Sequence, residues 1–202
     1  MENKGVVVYM ESTPNPAAMK FMTNVLLLPH GDKEYMEKSN AIESPLAYQL
    51  FDFTGVTGVF ISGSFVTVIK EDAIDWFEIQ GIIREFIRSY LVAGEPVFNE
   101  QALKTSENVK SNGSSSLTES PNVLVASETE QKIVALLDEY VKPAVEQDGG
   151  AIDFKSFDEG IVKVKLRGSC SGCPSSVVTL KSGIERLLKQ MIPEVQEVIA
   201  ED

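Results

Sequence analysis

The chain contains few residues of the types that bind metals in proteins. Its 202 residues include two cysteines and one histidine. Two cysteines cannot form the disulfide framework of a small secreted protein. Cys170 and Cys173 lie together near the carboxyl end, whereas His30 lies in the other half of the chain. The capacity to bind metal is therefore concentrated in one short segment that cannot complete a four-ligand site by itself.

Long hydrophobic runs and an excess of positive charge are also absent. The longest aliphatic cluster, residues 25–28, is far too short to span a bilayer. The net charge is −12, which disfavours binding to a phosphate backbone. Residues 1–5 show neither a positively charged opening nor an apolar stretch, so no targeting segment is visible. We therefore expect a cytoplasmic protein that binds neither nucleic acid nor membrane.

A polar segment divides the chain into two parts. Residues 111–122 contain a single aliphatic side chain, Leu117, among Ser, Asn, Gly, Thr, Glu and Pro. Such a segment cannot bury enough apolar surface to fold. The sequence predicts a first domain at 1–100, a flexible linker at 101–127 and a second domain at 128–202.

The first domain has the pattern of a sheet covered by helices. Strand-like runs are followed by a short helix after Ser44, a hairpin containing Phe60 and Phe65, and a longer helix from Asp72. We expect the longer helix to place Phe77 on its inner side, and the visible hydrophobic residues to be needed for one core.

The second domain alternates helices and strands. A capping box, Ser127 to Glu130, opens one helix, and Pro174 lies in the first turn of another. Between them, residues 151–157 and 161–167 form a predicted hairpin, and residues 195–199 form a last short strand. Apolar stripes on the two helices include Tyr140, Val178 and Met191. The fold class is therefore α+β, with two small α/β sandwich domains joined by a flexible linker.

Cys170 and Cys173 are separated by two residues and lie between a strand end and a helix start. Free backbone N–H groups and the positive end of the helix dipole favour thiolates at such a position. The small residues Ser171 and Gly172 leave the sulfur atoms accessible. We expect both sulfur atoms to be available as ligands at an exposed site and neither to fill the core.

Two thiolates supply half of a four-thiolate site. A twofold homodimer brings the same loop from two chains together and completes the set. On spacing alone, three alternatives stay open: an iron-sulfur site, half of a structural zinc site, and a dithiol-disulfide oxidoreductase. In the last alternative, Cys170 is the nucleophile and Cys173 is the resolving thiol.

The second part of the chain resembles the C-terminal domain of NifU and of Nfu-type iron-sulfur carrier proteins. The resemblance covers nearly all of residues 128–202 and includes the loop Gly168-x-Cys170-Ser171-Gly172-Cys173-Pro174. It extends through Thr179-Leu180-Lys181 and Gly183-Ile184-Glu185. One departure is Ala151, where the family usually has an acidic residue.

The first part resembles the Nfu N-terminal domain over residues 8–98, and the two matches occur in the family's order. The matching residues are Thr13-Pro14-Asn15-Pro16, Lys20-Phe21, Ser44-Pro45-Leu46-Ala47, Leu50-Phe51, Gly58-Val59-Phe60, Phe65-Val66-Thr67-Val68 and Trp76.

The resemblance implies a scaffold or carrier rather than an enzyme. Such a protein holds a 4Fe-4S cluster between the CxxC loops of two subunits, with Cys170 and Cys173 as its only ligands, and a 2Fe-2S form stays open. It forms a homodimer on cluster binding, receives the cluster from a donor and passes it to client apo iron-sulfur proteins. The first domain is expected to contact partners.

Three further features are assigned to structure rather than chemistry. Asp148-Gly149-Gly150 is interpreted as a turn. Lys163 and Lys165 alternate with apolar residues and are interpreted as a solvated strand face. Arg167 lies nearest the cysteine loop, and a role in balancing cluster charge stays open for it.

Overall fold

A computed structural model describes residues 5–99, 128–171 and 174–201 of the chain. The predicted linker at 101–127, Ser127 of the capping box, and Cys173 lie outside the described residues. The domain division at 1–100, 101–127 and 128–202 therefore stays a prediction. Both described parts contain helices and strands, which confirms the α+β class.

The first domain is a five-stranded antiparallel sheet with helices on one face. The strands are β1 (Val8–Ser12), β2 (Ala18–Thr23), β3 (Leu28–Tyr35), β4 (Val56–Gly63) and β5 (Phe65–Lys70). They lie in the order β1-β2-β5-β4-β3. A 3-10 helix (Lys38–Glu43) precedes the helices α1 (Pro45–Leu50) and α2 (Trp76–Val92). The buried core lies between this helical layer and the sheet.

Ser44 begins α1 as the sequence predicted. Its hydroxyl accepts a hydrogen bond from the Ala47 N–H at 3.3 Å and donates one to the Val97 carbonyl at 2.7 Å. Pro45 occupies the first helical turn, where its missing N–H leaves no bond unmade. Ser44 therefore also connects α1, through a hydrogen bond, to the segment that follows α2.

We expect Ser44→Ala to lower the free energy of unfolding by about 2 kcal/mol, since the fully buried hydroxyl serves two backbone groups. Urea unfolding measures the effect. Ser39→Ala is the matched control, because the exposed Ser39 hydroxyl donates only to the Glu37 carboxylate at 3.2 Å. Equal losses in the two variants would contradict the double role of Ser44.

The predictions for α2 were wrong in two respects. The helix starts at Trp76, four residues after Asp72, because the Asp75 carboxylate caps it by accepting from the Phe77 N–H at 2.9 Å. Ile83 is one of the buried residues of the helix. Phe77 lies six residues before Ile83, and because residues on one helix face are three, four or seven apart, Phe77 lies on a different face. Phe77 is accordingly 87% exposed. Trp76 is partly buried against the core.

The second domain combines a three-stranded sheet with helices. The strands β6 (Gly150–Asp158), β7 (Ile161–Gly168) and β8 (Glu197–Glu201) lie in that order. The helices are α3 (Glu128–Leu136), a π-helical segment (Leu137–Val141), α4 (Lys142–Gln147) and α5 (Pro174–Met191). The predicted hairpin is confirmed, and the predicted last strand is present as β8, which pairs parallel to β7.

Some side chains of the predicted apolar stripes are exposed rather than buried. Tyr140 is 54% exposed because the π-helical segment shifts the helical period and buries Leu137 and Val141 instead. Val178 and Met191 on α5 are also exposed. No helix in the described ranges is long and apolar enough to cross a membrane.

The second domain packs on the sheet face of the first domain that the helices leave open. Phe60 and Phe65 point to this face and form a buried cluster with Ala151 of the second domain. The expectation that all hydrophobic residues of the first domain serve one core was therefore wrong. Successive strand residues point to opposite faces, so Val59 and Val66 enter the first core while Phe60 and Phe65 do not.

Candidate metal centre

The cysteine loop connects the end of β7 with the start of α5. Gly168 ends the strand with φ +66°, in the left-handed region that favours glycine. The Ser171 N–H and hydroxyl both donate to the Gly168 carbonyl, at 3.1 and 2.9 Å. The predicted position of Cys170 between a strand and a helix is confirmed.

The Cys170 side chain points inward, contrary to expectation. It is only 5% exposed and packs with the hydrophobic core of the second domain. Gly150, the first residue of β6, lies against the sulfur: a Cβ atom there would approach Cys170 Sγ to 2.8 Å. The expectation that neither cysteine fills the core was therefore wrong for Cys170. The position of Cys173 lies outside the described residues and stays a prediction.

Burial raises the pKa of the Cys170 thiol above its ordinary value. The Ser169 hydroxyl, 3.8 Å from Sγ, opposes this pKa shift, and the nearby Asp148 carboxylate adds to it. The thiol is therefore protonated at neutral pH in this conformation. Burial therefore disfavours the thiolate that the helix dipole predicts, because it removes the hydration of the charged sulfur.

Asp148-Gly149-Gly150 forms the predicted turn and also supports the loop. Gly149 has φ +83°, and its carbonyl accepts from the Ser169 N–H at 3.2 Å. The Ser169 hydroxyl in turn donates to the Asp148 carbonyl. The turn thus anchors the residue immediately before Cys170. Two adjacent glycines are the sequence signal for this close approach, although their pattern by itself predicts only a turn.

Residues of the first domain also bind the loop. The Asn15 side-chain amide donates to the carbonyls of Ser169 at 3.0 Å and Ser171 at 3.3 Å. The Glu34 carboxylate accepts from the Gly168 N–H at 2.7 Å. Sequence reasoning missed both contacts, although Asn15 belongs to the Thr13-Pro14-Asn15-Pro16 motif that it had singled out.

Arg167, whose role the sequence left open, lies between two carboxylates. It forms ion pairs with Asp32 of the first domain and Asp153 on the neighbouring strand. Burial raises the pKa of Asp32, and the Arg167 guanidinium opposes that shift. Arg167 therefore joins the two domains in this conformation.

The other candidate charges differ in exposure. Lys163 pairs with Glu201 at the surface, as expected for a solvated strand face. Lys165 lies on the same side of β7 but is half-buried and lines a cavity with Glu34 of the first domain, so the expected solvated face is partly covered there. His30 is exposed on the edge strand β3 of the first domain. Within residues 5–99, 128–171 and 174–201, no group of three or more His, Cys, Asp or Glu side chains is arranged to hold a metal ion.

The second domain is a small α+β domain that carries Cys170 in the loop between a strand and a helix. A family model described as "NifU-like domain" matches residues 133–199. Another, described as "Scaffold protein Nfu/NifU N terminal", matches residues 8–94. The chain belongs to the Nfu/NifU family of iron-sulfur cluster scaffold proteins.

Similar proteins occur in fungi and insects. A NifU-like protein of Schizosaccharomyces pombe is 36% identical over 97% of this chain and 73% of its own length. The mitochondrial NFU1 iron-sulfur cluster scaffold homolog of Drosophila willistoni is 36% identical over 98% of this chain. This chain spans 64% of that insect protein. The expected cytoplasmic location gains no support from a relative that is named mitochondrial.

The solution structure of a NifU-like protein from Saccharomyces cerevisiae is also similar. It aligns with 50% of this chain and 91% of its own, at 24% identity and a TM-score of 0.44.

Proposed function

We propose that this protein holds a 4Fe-4S cluster between the CxxC loops of two copies and passes it to client apo iron-sulfur proteins. The observation that supports the proposal best is the position of Cys170. It lies in the loop between β7 and α5, inside the segment that matches the NifU-like domain. The cluster is cargo in this account, and Cys170 and Cys173 are its protein ligands.

Ligand number supports a shared site. Each chain has two cysteines, separated by two residues, and a 4Fe-4S cluster needs four thiolates. A twofold dimer of the loops supplies four without any other residue. A 2Fe-2S cluster can use the same four thiolates, so iron content decides between the two forms.

Transfer to a client requires only ligand exchange. A client thiolate forms a new Fe–S bond as the bond to Cys170 or Cys173 breaks, and the released thiolate takes up a proton. No electron is transferred and no covalent enzyme intermediate forms. We therefore assign the protein to carriers rather than enzymes, with a cluster donor and client apoproteins as its partners.

The loop must rearrange before it can bind a cluster. Cys170 Sγ lies against Gly150 and is almost completely buried. A cluster shared with a partner copy would need this sulfur to be accessible at the surface. The described conformation is therefore the resting, metal-free form in our account.

The dithiol-disulfide oxidoreductase is the alternative function, and the resting geometry of Cys170 does not suit it either. A nucleophilic cysteine in such an enzyme is partly exposed and has a lowered pKa. Cys170 is buried, and its pKa is raised. We expect the metal-free protein to reduce insulin disulfides no faster than a Cys170→Ser variant does.

Anaerobic reconstitution with ferrous iron and sulfide tests the proposal. We expect about two irons and two sulfides per chain, with a broad absorption band in the violet-blue region, for one shared 4Fe-4S cluster. About one iron per chain would indicate the 2Fe-2S form. Zinc in the purified protein and no uptake of iron would indicate the structural zinc site and contradict the proposal.

A further inference from the structure

We propose that the open face of the first sheet is a docking surface for the cysteine loop of its own chain, and that this closed form must open before two loops can share a cluster. We call this surface the docking face and define it by Lys20, Glu34, Phe60, Phe65 and Thr67. The regulatory part of this inference rests on the proposed function. The docking itself does not.

Buried polar groups of the docking face are satisfied by the second domain. The Thr67 hydroxyl is fully buried and donates to the Gly149 carbonyl at 2.7 Å. The Lys20 ammonium donates to the carbonyls of Glu146 and Gln147 at 3.1 and 3.0 Å. These carbonyls end α4, where a positive charge is favourable. The fully buried Thr67 therefore depends on the second domain for its hydrogen bond. Lys20, only 5% exposed, depends on it in part, because its ammonium also pairs with Glu11 of the first domain at 3.5 Å.

The apolar part of the contact is centred on Ala151. It is 5% exposed and forms a buried cluster with Phe60 and Phe65. Ala151 also lies opposite Arg167 in the β6–β7 pairing. A carboxylate at position 151 would be buried against two aromatic rings and would compete with Asp32 for Arg167.

The contact also restrains the loop that carries the cysteines. Asn15 holds the carbonyls on both sides of Cys170, and Glu34 holds the Gly168 N–H. A second copy cannot place its own loop against this one while the first domain binds it. Opening the contact costs free energy, so the docking lowers the apparent affinity with which two copies form the shared site.

Ala151→Asp is the variant that tests the docking, and amide hydrogen exchange is the measurement. The Gly168 N–H donates to Glu34 of the first domain, whereas the neighbouring Ser169 N–H donates to the Gly149 carbonyl of its own domain. We expect Gly168 exchange in the metal-free variant to accelerate at least about tenfold, while Ser169 exchange stays unchanged. Ala73→Asp, the same change at an exposed alanine, should alter neither rate.

A milder variant keeps the inference testable if Ala151→Asp perturbs the second domain as a whole. Thr67→Val preserves side-chain shape and removes the hydroxyl that donates to Gly149. We expect it to accelerate Gly168 exchange by a smaller factor and to spare Ser169. Unchanged Gly168 exchange in both variants would overturn the docking. Sedimentation should show a monomer; a metal-free dimer would mean that a second copy occupies the docking face, and would overturn the assignment to its own chain.

Cluster uptake separates the two proposals. If Ala151→Asp opens the molecule and accelerates cluster uptake, the docking and the proposed function both hold. If it opens the molecule and no variant takes up iron, the proposed function fails and the docking stands. If wild-type protein takes up the cluster and Gly168 exchange is the same in every variant, the docking fails alone.

Discussion

Replacing Cys173 by alanine is expected to reduce the iron content of reconstituted protein from about two atoms per chain to near zero. Each chain has only two cysteines, so the variant dimer would offer two thiolates to a cluster that needs four. Loss of half the ligands would remove the site rather than weaken it, because two of the four irons would have no protein ligand.

The control for this prediction is Ser171→Ala. Ser171 lies in the same loop, and its hydroxyl donates to the Gly168 carbonyl. We expect this variant to keep most of its iron. A Cys173→Ala protein that retains its full iron content would contradict the ligand assignment.

Cys170→Ala should lose the cluster equally and also lose stability. Its sulfur packs in the core of the second domain, so removing it leaves a small cavity. We expect a loss of about 1 kcal/mol in the free energy of unfolding of the metal-free protein. The two cysteines are therefore alike as ligands in our account, although Cys170 also contributes to the fold.

Gly150→Ala is expected to cause the largest loss of stability, about 3 kcal/mol in urea unfolding of the metal-free protein. A Cβ atom at Gly150 would lie 2.5 Å from the Arg167 carbonyl oxygen and 2.8 Å from Cys170 Sγ. The first contact is with the backbone of the paired strand, which cannot move aside without breaking the β6–β7 pairing. The variant should therefore distort the strand and the cysteine loop together.

Gly183→Ala is the matched control for this prediction. Gly183 lies inside α5, is exposed, and has no atom within 4 Å of the position that a Cβ atom would take. Alanine has a higher helix propensity, so we expect a gain of about 0.5 to 1 kcal/mol. A similar loss in both variants would show that the close approach of Gly150 to the loop does not determine its effect.

The sequence predicted the elements of the second domain well because its patterns are local. In β7 the apolar side chains are buried and the charged side chains that alternate with them are less buried, as the sequence pattern predicts. Pro174 begins α5, also as expected. The first domain was harder. The helix start at Trp76 depends on the Asp75 cap, and a single aspartate among several acidic residues gives a weak signal.

The packing between domains could not be predicted from local patterns. β5 is buried at every position, so one face packs on the core of the first domain and the other on the second domain. The apolar pattern shows that both faces are covered but does not identify what covers the second one. Ala151 was noticed only as a departure from the family pattern. The structure shows that its small, uncharged side chain lies against Phe60 and Phe65, where an acidic residue would lose its hydration.

The burial of Cys170 could not be predicted either. The small residues Ser171 and Gly172 indicated an accessible sulfur. The same small size lets the loop fold inward, so that Cys170 lies against Gly150. Local sequence indicated the chemistry that the loop can perform, whereas contacts with distant residues determine the conformation in which it rests.

The mass of the intact reconstituted protein, measured under native anaerobic conditions, tests the central claim most directly. Our account predicts two chains plus four irons and four sulfides, with the metal-free protein a monomer and Cys173→Ala unable to form the loaded dimer. A loaded species of one chain, or a dimer whose iron survives loss of Cys173, would contradict a cluster shared between two CxxC loops.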